Sequence, residues 1–273
     1  MQRDIDEVDF TIFDTETTGL EPKSGDRIVE IAALRIRGQE RMDIFQSLVN
    51  PQRSISPAAF AVNKITAQML KHAPDIAVVM PKFLAFIEGS CLCSYNANFD
   101  LGFLHYELKL SGRELPKDIV VVDMLKMAKR LLPGMERYAL WFVADKLGIK
   151  IKQEHRAFSD VELALSVFTK LKKTLSDKGI TDFQNFTNLF GVQAQLLDNL
   201  NNQKLTQIQE AMDLGVKLKI RYISSSEARV SERQVIPKEI RQEQKYTYLI
   251  GHCCLRNEER TFRIDNILHL EII

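Results

Sequence analysis

The 273 residues are 45% apolar and 27% charged, an ordinary globular mix that excludes a disordered chain, and the length predicts two folded units at roughly 100 to 200 residues per domain. With 37 basic against 36 acidic residues the net charge is +1. No global field draws the protein to a polyanion or a membrane surface, so any such attraction has to come from local clusters or bound cations.

Residues 1–10 carry acids where a targeting segment would carry a basic stretch and then an apolar run. No run nears the roughly 18 apolar residues of a membrane span, so the chain reads as a soluble cytoplasmic protein with no membrane partner. Phe10 to Asp14 is a short strand, Arg27 to Ile36 alternates as a second after the turn Leu20 to Asp26, and Asp43 to Val49 completes a meander. Ala73 to Ile87 has helical periodicity through Ile76, Val79, Phe83 and Ile87, and Cys91 to Tyr95 returns to strand. Asn98 to Leu110 is helical, with Phe99, Phe103, Tyr106 and Leu110 on one stripe, and the β-branched run Ile119 to Val122 is a buried strand. Helices follow at Met124 to Leu131, Tyr138 to Leu147 and Ser159 to Leu175. Strands alternating with helices after an opening meander predict an α/β layered domain over residues 1–176.

Residues 177–203 are polar and rich in Asn and Gln, a connector with some helix. From 204 to 273 a short helix precedes strands at Lys217 to Ile223, Gln234 to Ile240, Tyr246 to Cys254 and Thr261 to Ile264, which predicts a small β-dominated second domain. Cys91, Cys93, Cys253 and Cys254 lie in apolar runs without the C-x2-C spacing of zinc sites and read as buried reduced thiols.

Three acidic segments carry chemistry. Asp14-Thr15-Glu16 ends a strand, where alternate residues share a face, so both carboxylates can meet one pair of cations. Asp100 closes Asn96-Ala-Asn98-Phe99-Asp100 at the opening of a helix; Asn96 or Asn98 can cap that helix and leave the acid free. His155 and Asp160 bracket the entry to another helix, and imidazole is the side chain suited to accept a proton at neutral pH. Taken singly, each acid is equally at home as a solvated strand end or a helix cap. Glu30, in Ile28-Val-Glu-Ile, can face either a cleft or water and is not counted among the site residues.

In chain order, D-x-E, N-x-x-F-D and H-x4-D resemble the DEDDh branch of the DnaQ-like 3′–5′ exonucleases, the group of RNase T and the polymerase III epsilon chain, over about residues 8 to 176. The resemblance implies an RNase H-like fold, a mixed central sheet flanked by helices. It also implies that Asp14, Glu16, Asp100 and Asp160 hold two divalent ions, Mg²⁺ or Mn²⁺, while His155 deprotonates the attacking water. It assigns Thr15, Thr17, Thr18, Gly19 and Leu20 to the terminal nucleotide, with Asn96 beside them. Phe99, Phe103 and Phe158 are candidate base neighbours, with core packing as their alternative.

From Lys217 to the end, eleven Lys and Arg stand against eight acids, and Arg256, Arg260 and Arg263 interleave with Tyr246, Tyr248 and Phe262. Lys219 to Tyr222, Arg233 to Pro237, Tyr248 to Gly251 and Arg260 to Ile267 resemble a WYL domain, although Thr247 stands where the naming tryptophan would and Asn266 where an arginine is usual. That resemblance implies a small Sm-like β-barrel sensing nucleic acid or a nucleotide, and the interleaving with aromatics makes Arg256, Arg260 and Arg263 the candidate phosphate and base contacts. The expectation is a 3′–5′ exonuclease on single-stranded DNA or RNA ends with an appended sensor. A non-catalytic nucleic-acid sensor and a polymerase proofreading subunit are the alternatives, and a polymerase or a second copy of the chain the protein partners to consider.

Overall fold

The computed structural model describes residues 3–192, 194–244 and 246–273. Met1 and Gln2, within the N-terminal stretch read above, and Gln193, within the connector, lie outside the described residues. The first sheet comprises β1 (Asp9–Thr17), β2 (Ile28–Arg37), β3 (Glu40–Leu48), β4 (Cys91–Ser94) and β5 (Val121–Asp123) in the order β3-β2-β1-β4-β5. The β1–β2 and β2–β3 pairs are antiparallel, whereas β4 and β5 join in parallel, so the sheet is mixed as expected. Helices α1 (Pro57–Asn63), α2 (Ala67–Leu70) and α3 (Ile76–Ile87) lie on the path from β3 to β4. The chain continues through α4 (Ala97–Leu110), α5 (Met124–Leu131), α6 (Leu140–Lys146) and α7 (Ala157–Asp177).

Central position makes β1 apolar on both faces, and its alternation sorts the layers. Phe10 and Ile12 pack with residues of α5, α6 and α7, while Phe13 packs with α3 and α4. The even positions of β1 therefore look toward α7 and the odd ones toward α4. The same parity holds on β2, where Ala32, Leu34 and Ile36 join the α7 side and Ile31 and Ala33 the α4 side. This parity decides which acids can meet.

Helix α8 (Phe183–Phe190) packs Phe186 edge-on against Phe10 at 5.5 Å between ring centres and belongs to the core of the first layer set. Helix α9 (Ala194–Leu214) is far longer than the short helix expected from Leu205, and it runs through much of the stretch read as connector. Its Ile208 and Ala211 seal a second core with β6 (Leu218–Ile223), β7 (Val230–Glu243), β8 (Tyr246–Cys253), β9 (Glu258–Arg263) and β10 (Ile267–Ile272). These strands form an antiparallel sheet in the order β10-β6-β7-β8-β9.

That sheet corrects the expectation of a closed barrel: among the described residues β9 and β10 do not pair. A single 3-10 turn, Ile264–Asn266, carries the chain across to β6, and α9 covers the core where closure would have occurred. Cys254 is also corrected, because β8 ends at Cys253 and leaves the next thiol exposed, while Cys91, Cys93 and Cys253 are buried free thiols. Ile223 and Leu268 of the second unit join the core containing Leu175 and Ile180, so the two units share apolar contact. No described helix is long and apolar enough to cross a membrane.

Candidate active site

Parallel strands present their carboxyl ends at one edge of a sheet, and ligands of such sheets gather there. Here β1 ends in Asp14, Thr15 and Glu16, β4 in Ser94 and β5 in Asp123. Asp14 and Glu16, on the even face of β1, meet Asp160 in the first turn of α7, with one oxygen from each carboxylate within 4.8 Å of the others. Asp14 and Glu16 are half-buried and Asp160 is buried. Asp160 Oδ2 accepts from Gln153 Nε2 at 2.8 Å, whereas its buried Oδ1 has no hydrogen-bond partner among the described residues.

Gathering like charges in a partly dry cleft opposes ionisation. Burial, then the charges of Asp100, Glu16, Asp160 and Glu30, push Asp14 well above the usual carboxylate range. Burial, then Asp160 and Glu30, raise Glu16 to about 8, with a hydrogen bond from Asn63 opposing. Asp160 is raised by burial against the pull of Gln153 and His155.

Asp100 stands beside this trio rather than within it. It begins α4, on the side served by the odd positions of β1, so its Oδ1 accepts from the backbone N–H of Thr15 at 3.0 Å and from Thr15 Oγ1 at 2.7 Å. Its Oδ2 accepts from Ser94 Oγ at 2.5 Å. Burial raises Asp100 to about 6, limited by those hydrogen bonds. Thr15 thus occupies both lone pairs of Oδ1, and Oδ2 alone keeps a second one for a ligand.

His155 is 47% exposed at the rim, with Nδ1 3.9 Å from Asp160 Oδ2, beyond hydrogen-bond reach. Its φ of 54° is left-handed, uncommon for a residue with a side chain.

The turn after β1 is built inward. Thr17 Oγ1 donates to Gly19 O at 2.6 Å, and Thr18 Oγ1 donates to Asp26 at 2.9 Å while accepting from Arg27 N at 3.0 Å. A side chain at residue 19 would meet the Asp26 carboxylate at 2.2 Å and push it off its hydrogen bonds with Thr18 Oγ1 and Glu21 N. Leu20, the next residue, is 75% exposed.

Asn96 is exposed and left-handed, its N–H donating to Asp123 Oδ1 at 3.2 Å, and Phe99 is half-buried against Phe103. Phe103 itself is fully buried in the core and touches no cleft, so its reading as a base neighbour is corrected. The stripe through Leu110 was drawn off-axis: Leu101, Phe103, Leu104 and Leu108 face the core, and Leu110 faces water. Phe158 packs against the other core cluster. In the second unit Arg256 is exposed and Arg260 pairs with Glu258 at 3.3 Å. Arg263 is engaged by Asp265 through both nitrogens and lies 3.9 Å over the Tyr246 ring, and Asp265 is also 3.6 Å from the buried Arg130 of α5.

Sequence reasoning passed over four residues that shape the site: Glu30, Asn63, Ser94 and Gln153. Glu30 is only 1% exposed and lies opposite Glu16 in the β1–β2 register. Residues opposite each other in a ladder share a face, and only the register reveals that Glu30 shares that of Glu16.

An acidic edge of this kind, on a mixed five-stranded sheet with helices on both faces, defines a nuclease-type fold. The nuclease domain of 3′hExo, described as a DEDDh family member and solved with rAMP, superposes with a TM-score of 0.56 at 19% identity, covering 66% of this chain and 97% of that one. The family model for exonucleases matches residues 11–168, and the chain belongs to that family. A WYL domain matches residues 203–272. A DNA polymerase III PolC-type protein of Caldanaerobacter subterraneus is 30% identical over 262 residues, 96% of this chain and 18% of that protein. The 3′-5′ exonuclease DinG of Bacillus subtilis is 33% identical over 166 residues, 61% of this chain and 18% of its own. The chain thus spans less than a fifth of the length of these two relatives.

Proposed function

We propose that the protein removes nucleotides from single-stranded 3′ ends of DNA or RNA by hydrolysing the terminal phosphodiester bond, with Asp14, Glu16, Asp100 and Asp160 holding two divalent cations, Mg²⁺ or Mn²⁺. The observation that carries this reading is the convergence of Asp14, Glu16 and Asp160 within 4.8 Å. Three carboxylates held together against their own repulsion, one with a buried oxygen lacking a hydrogen-bond partner among the described residues, suit cations better than any group of the protein. When bound, the cations supply charge neutralisation of the scissile phosphate and lower the pKa of water. The residues do the rest. His155 at the open rim accepts the proton of the attacking water, Leu20 wedges the terminal base, and the backbone of Thr15 to Gly19 meets the 3′ nucleotide, with Asn96 and Phe99 on the opposite wall.

The second unit, with Arg256 and Arg260 as its exposed cations, serves as a nucleic-acid or nucleotide sensor in this reading, joined through residues 177–203 to an exonuclease unit of residues 1–176. Arg263 contributes less directly, since Asp265 already engages it. The polymerase III names of the relatives support association with a polymerase as the protein-partner hypothesis, and free thiols at all four cysteines suit a cytoplasmic setting.

Oligonucleotides labelled at the 5′ end, as DNA and as RNA, incubated with Mg²⁺ or Mn²⁺, should yield a ladder of successively shortened products. Asp14→Ala and His155→Ala should abolish it. No cleavage of either polymer with either metal refutes the enzymatic reading, and full activity in His155→Ala refutes the general-base assignment.

A further inference from the structure

His155 and Asp160 enter the site from one short segment, and that segment is held by a group outside the acid cluster. Glu30 lies on the even face of β2, the face turned toward α7. Its Oε2 accepts from Arg156 Nε at 3.0 Å, its Oε1 from Arg156 Nη2 at 2.8 Å, and Oε2 again from the backbone N–H of Ala157 at 3.1 Å. The acid is 1% exposed, so this three-bond fork joins the sheet to the helix start in a region from which water is largely withdrawn.

Its position along the chain matters more than its strength. Arg156 and Ala157 directly follow His155, whose left-handed φ of 54° is a conformation that must be imposed by its surroundings. Arg156 O in turn accepts from Asp160 N at 3.0 Å, so the residue that the fork grips also anchors the turn bearing Asp160. Among the described residues, the Arg156 side chain itself makes no hydrogen bond to the acid trio. Its charge reaches Glu16 at longer range, but its hydrogen bonds act on the site only through its neighbours.

We infer that Glu30 and Arg156 are positioning residues: their fork, anchored on the buried Glu30, sets the direction in which His155 points and the depth at which Asp160 enters the acid cluster. This rests on the general-base reading of His155. A rim imidazole without a hydrogen bond to Asp160 is free to swing about its side-chain bonds, so the backbone beneath it is what defines its reach.

A matched control exists in the same fold. Glu107 of α4 accepts from Arg27 Nε and Nη2 at 2.8 Å each and from the backbone N–H of Ile28 at 3.2 Å, the same chemistry on the other layer; the backbone it grips adjoins the Thr18 turn but neither His155 nor a proposed cation ligand, so a change there bears on KM rather than kcat. Steady-state kinetics on a single-stranded oligonucleotide in saturating Mg²⁺ separate a positioning role from a merely structural one. Glu30→Gln should lower kcat by roughly ten- to hundredfold, the scale of a displacement near 1 Å, while KM stays within about threefold. Glu107→Gln should lose comparable thermal stability and keep kcat within about twofold of wild type. Arg156→Lys, which retains the charge and removes the fork, serves if Glu30→Gln does not fold; it should show the same fall in kcat. A folded Glu30→Gln or Arg156→Lys enzyme with wild-type kcat overturns the inference, as does an equal fall of kcat in Glu107→Gln. Should His155→Ala be inactive while both fork variants keep full kcat, the fork is refuted alone; should His155→Ala remain active, the reading beneath it fails.

Discussion

Glu16 offers the sharpest test of the electrostatics, because a charge that the reaction needs opposes the folded state that holds it. Burial and the charges of Asp160 and Glu30 raise its pKa from 4.5 to about 8. A carboxyl whose folded pKa lies above its unfolded value leaves stability whole below pH 4.5 and subtracts from it as the pH climbs through 8. At pH 7 the subtraction is roughly 1.4 kcal/mol per unit over 2.5 units, about 3.5 kcal/mol, approaching about 5 kcal/mol above pH 9. Solvent screening in the open part of the cleft makes these upper bounds. Glu16→Gln removes the penalty at nearly constant volume. In chelator at pH 7 the variant should melt several degrees above wild type, at roughly 2–4 °C per kcal/mol. The gap should close at pH 4.5 and shrink in Mg²⁺, which stabilises the wild type by binding its carboxylates. Melting curves at pH 4.5, 7 and 9, with and without Mg²⁺, supply the measurement. Coincident curves for the two proteins at pH 9 in chelator would refute the clustering argument and with it the case for cations at this edge.

Two further contrasts follow from burial. Phe103→Ala should cost about 3–5 kcal/mol of stability through the cavity it leaves while KM at a permissive temperature is unchanged, whereas Leu20→Ala, altering an exposed side chain, should leave Tm within a degree or so and raise KM. In the second unit Arg256→Ala should weaken oligonucleotide binding and flatten its salt dependence at unchanged Tm, while Arg263→Ala should destabilise by roughly 1–3 kcal/mol by stripping Asp265 of its fork. Equal Tm losses in both arginine variants, by melting and fluorescence anisotropy, would contradict this division.

What could be read from the chain was what depends on local order. The D-x-E at the end of β1 and the spacing from His155 to Asp160 depend only on strand alternation and a helix start, and the strand-helix sequence of the first domain followed from hydrophobic periodicity. Features set by long-range pairing escaped. Glu30 is indistinguishable from a solvent-facing strand acid until the register places it opposite Glu16 and beneath Arg156. Helices α1 and α2 were missed although Ser56 and Thr66 cap them through Ala59 N and Met69 N, because their apolar residues, such as Phe60 and Val62, face outward and give no stripe. The barrel failed for a similar reason. Strand β10 shows alternation over Leu268 to Ile272, but its pairing with β6 carries no local signal, and closure depends on whether β9 can reach it.

The parity of β1 links these successes and failures into one constraint on the site. Because Asp14 and Glu16 occupy even positions, they must share a layer with α7 and hence with Asp160; because Thr15 occupies the odd position between them, it must meet α4 and hence Asp100. A strand can deliver two acids to one face only by delivering their middle neighbour to the other, so a fourth acid arriving from the opposite layer finds a threonine hydroxyl before it finds a cation. Thr15 therefore stands between the two halves of the site, and the raised pKa of Asp100 measures how weakly that hydroxyl and Ser94 compensate its burial. Thr15 and Ser94 thus hold both oxygens of Asp100 outside the cluster of Asp14, Glu16 and Asp160.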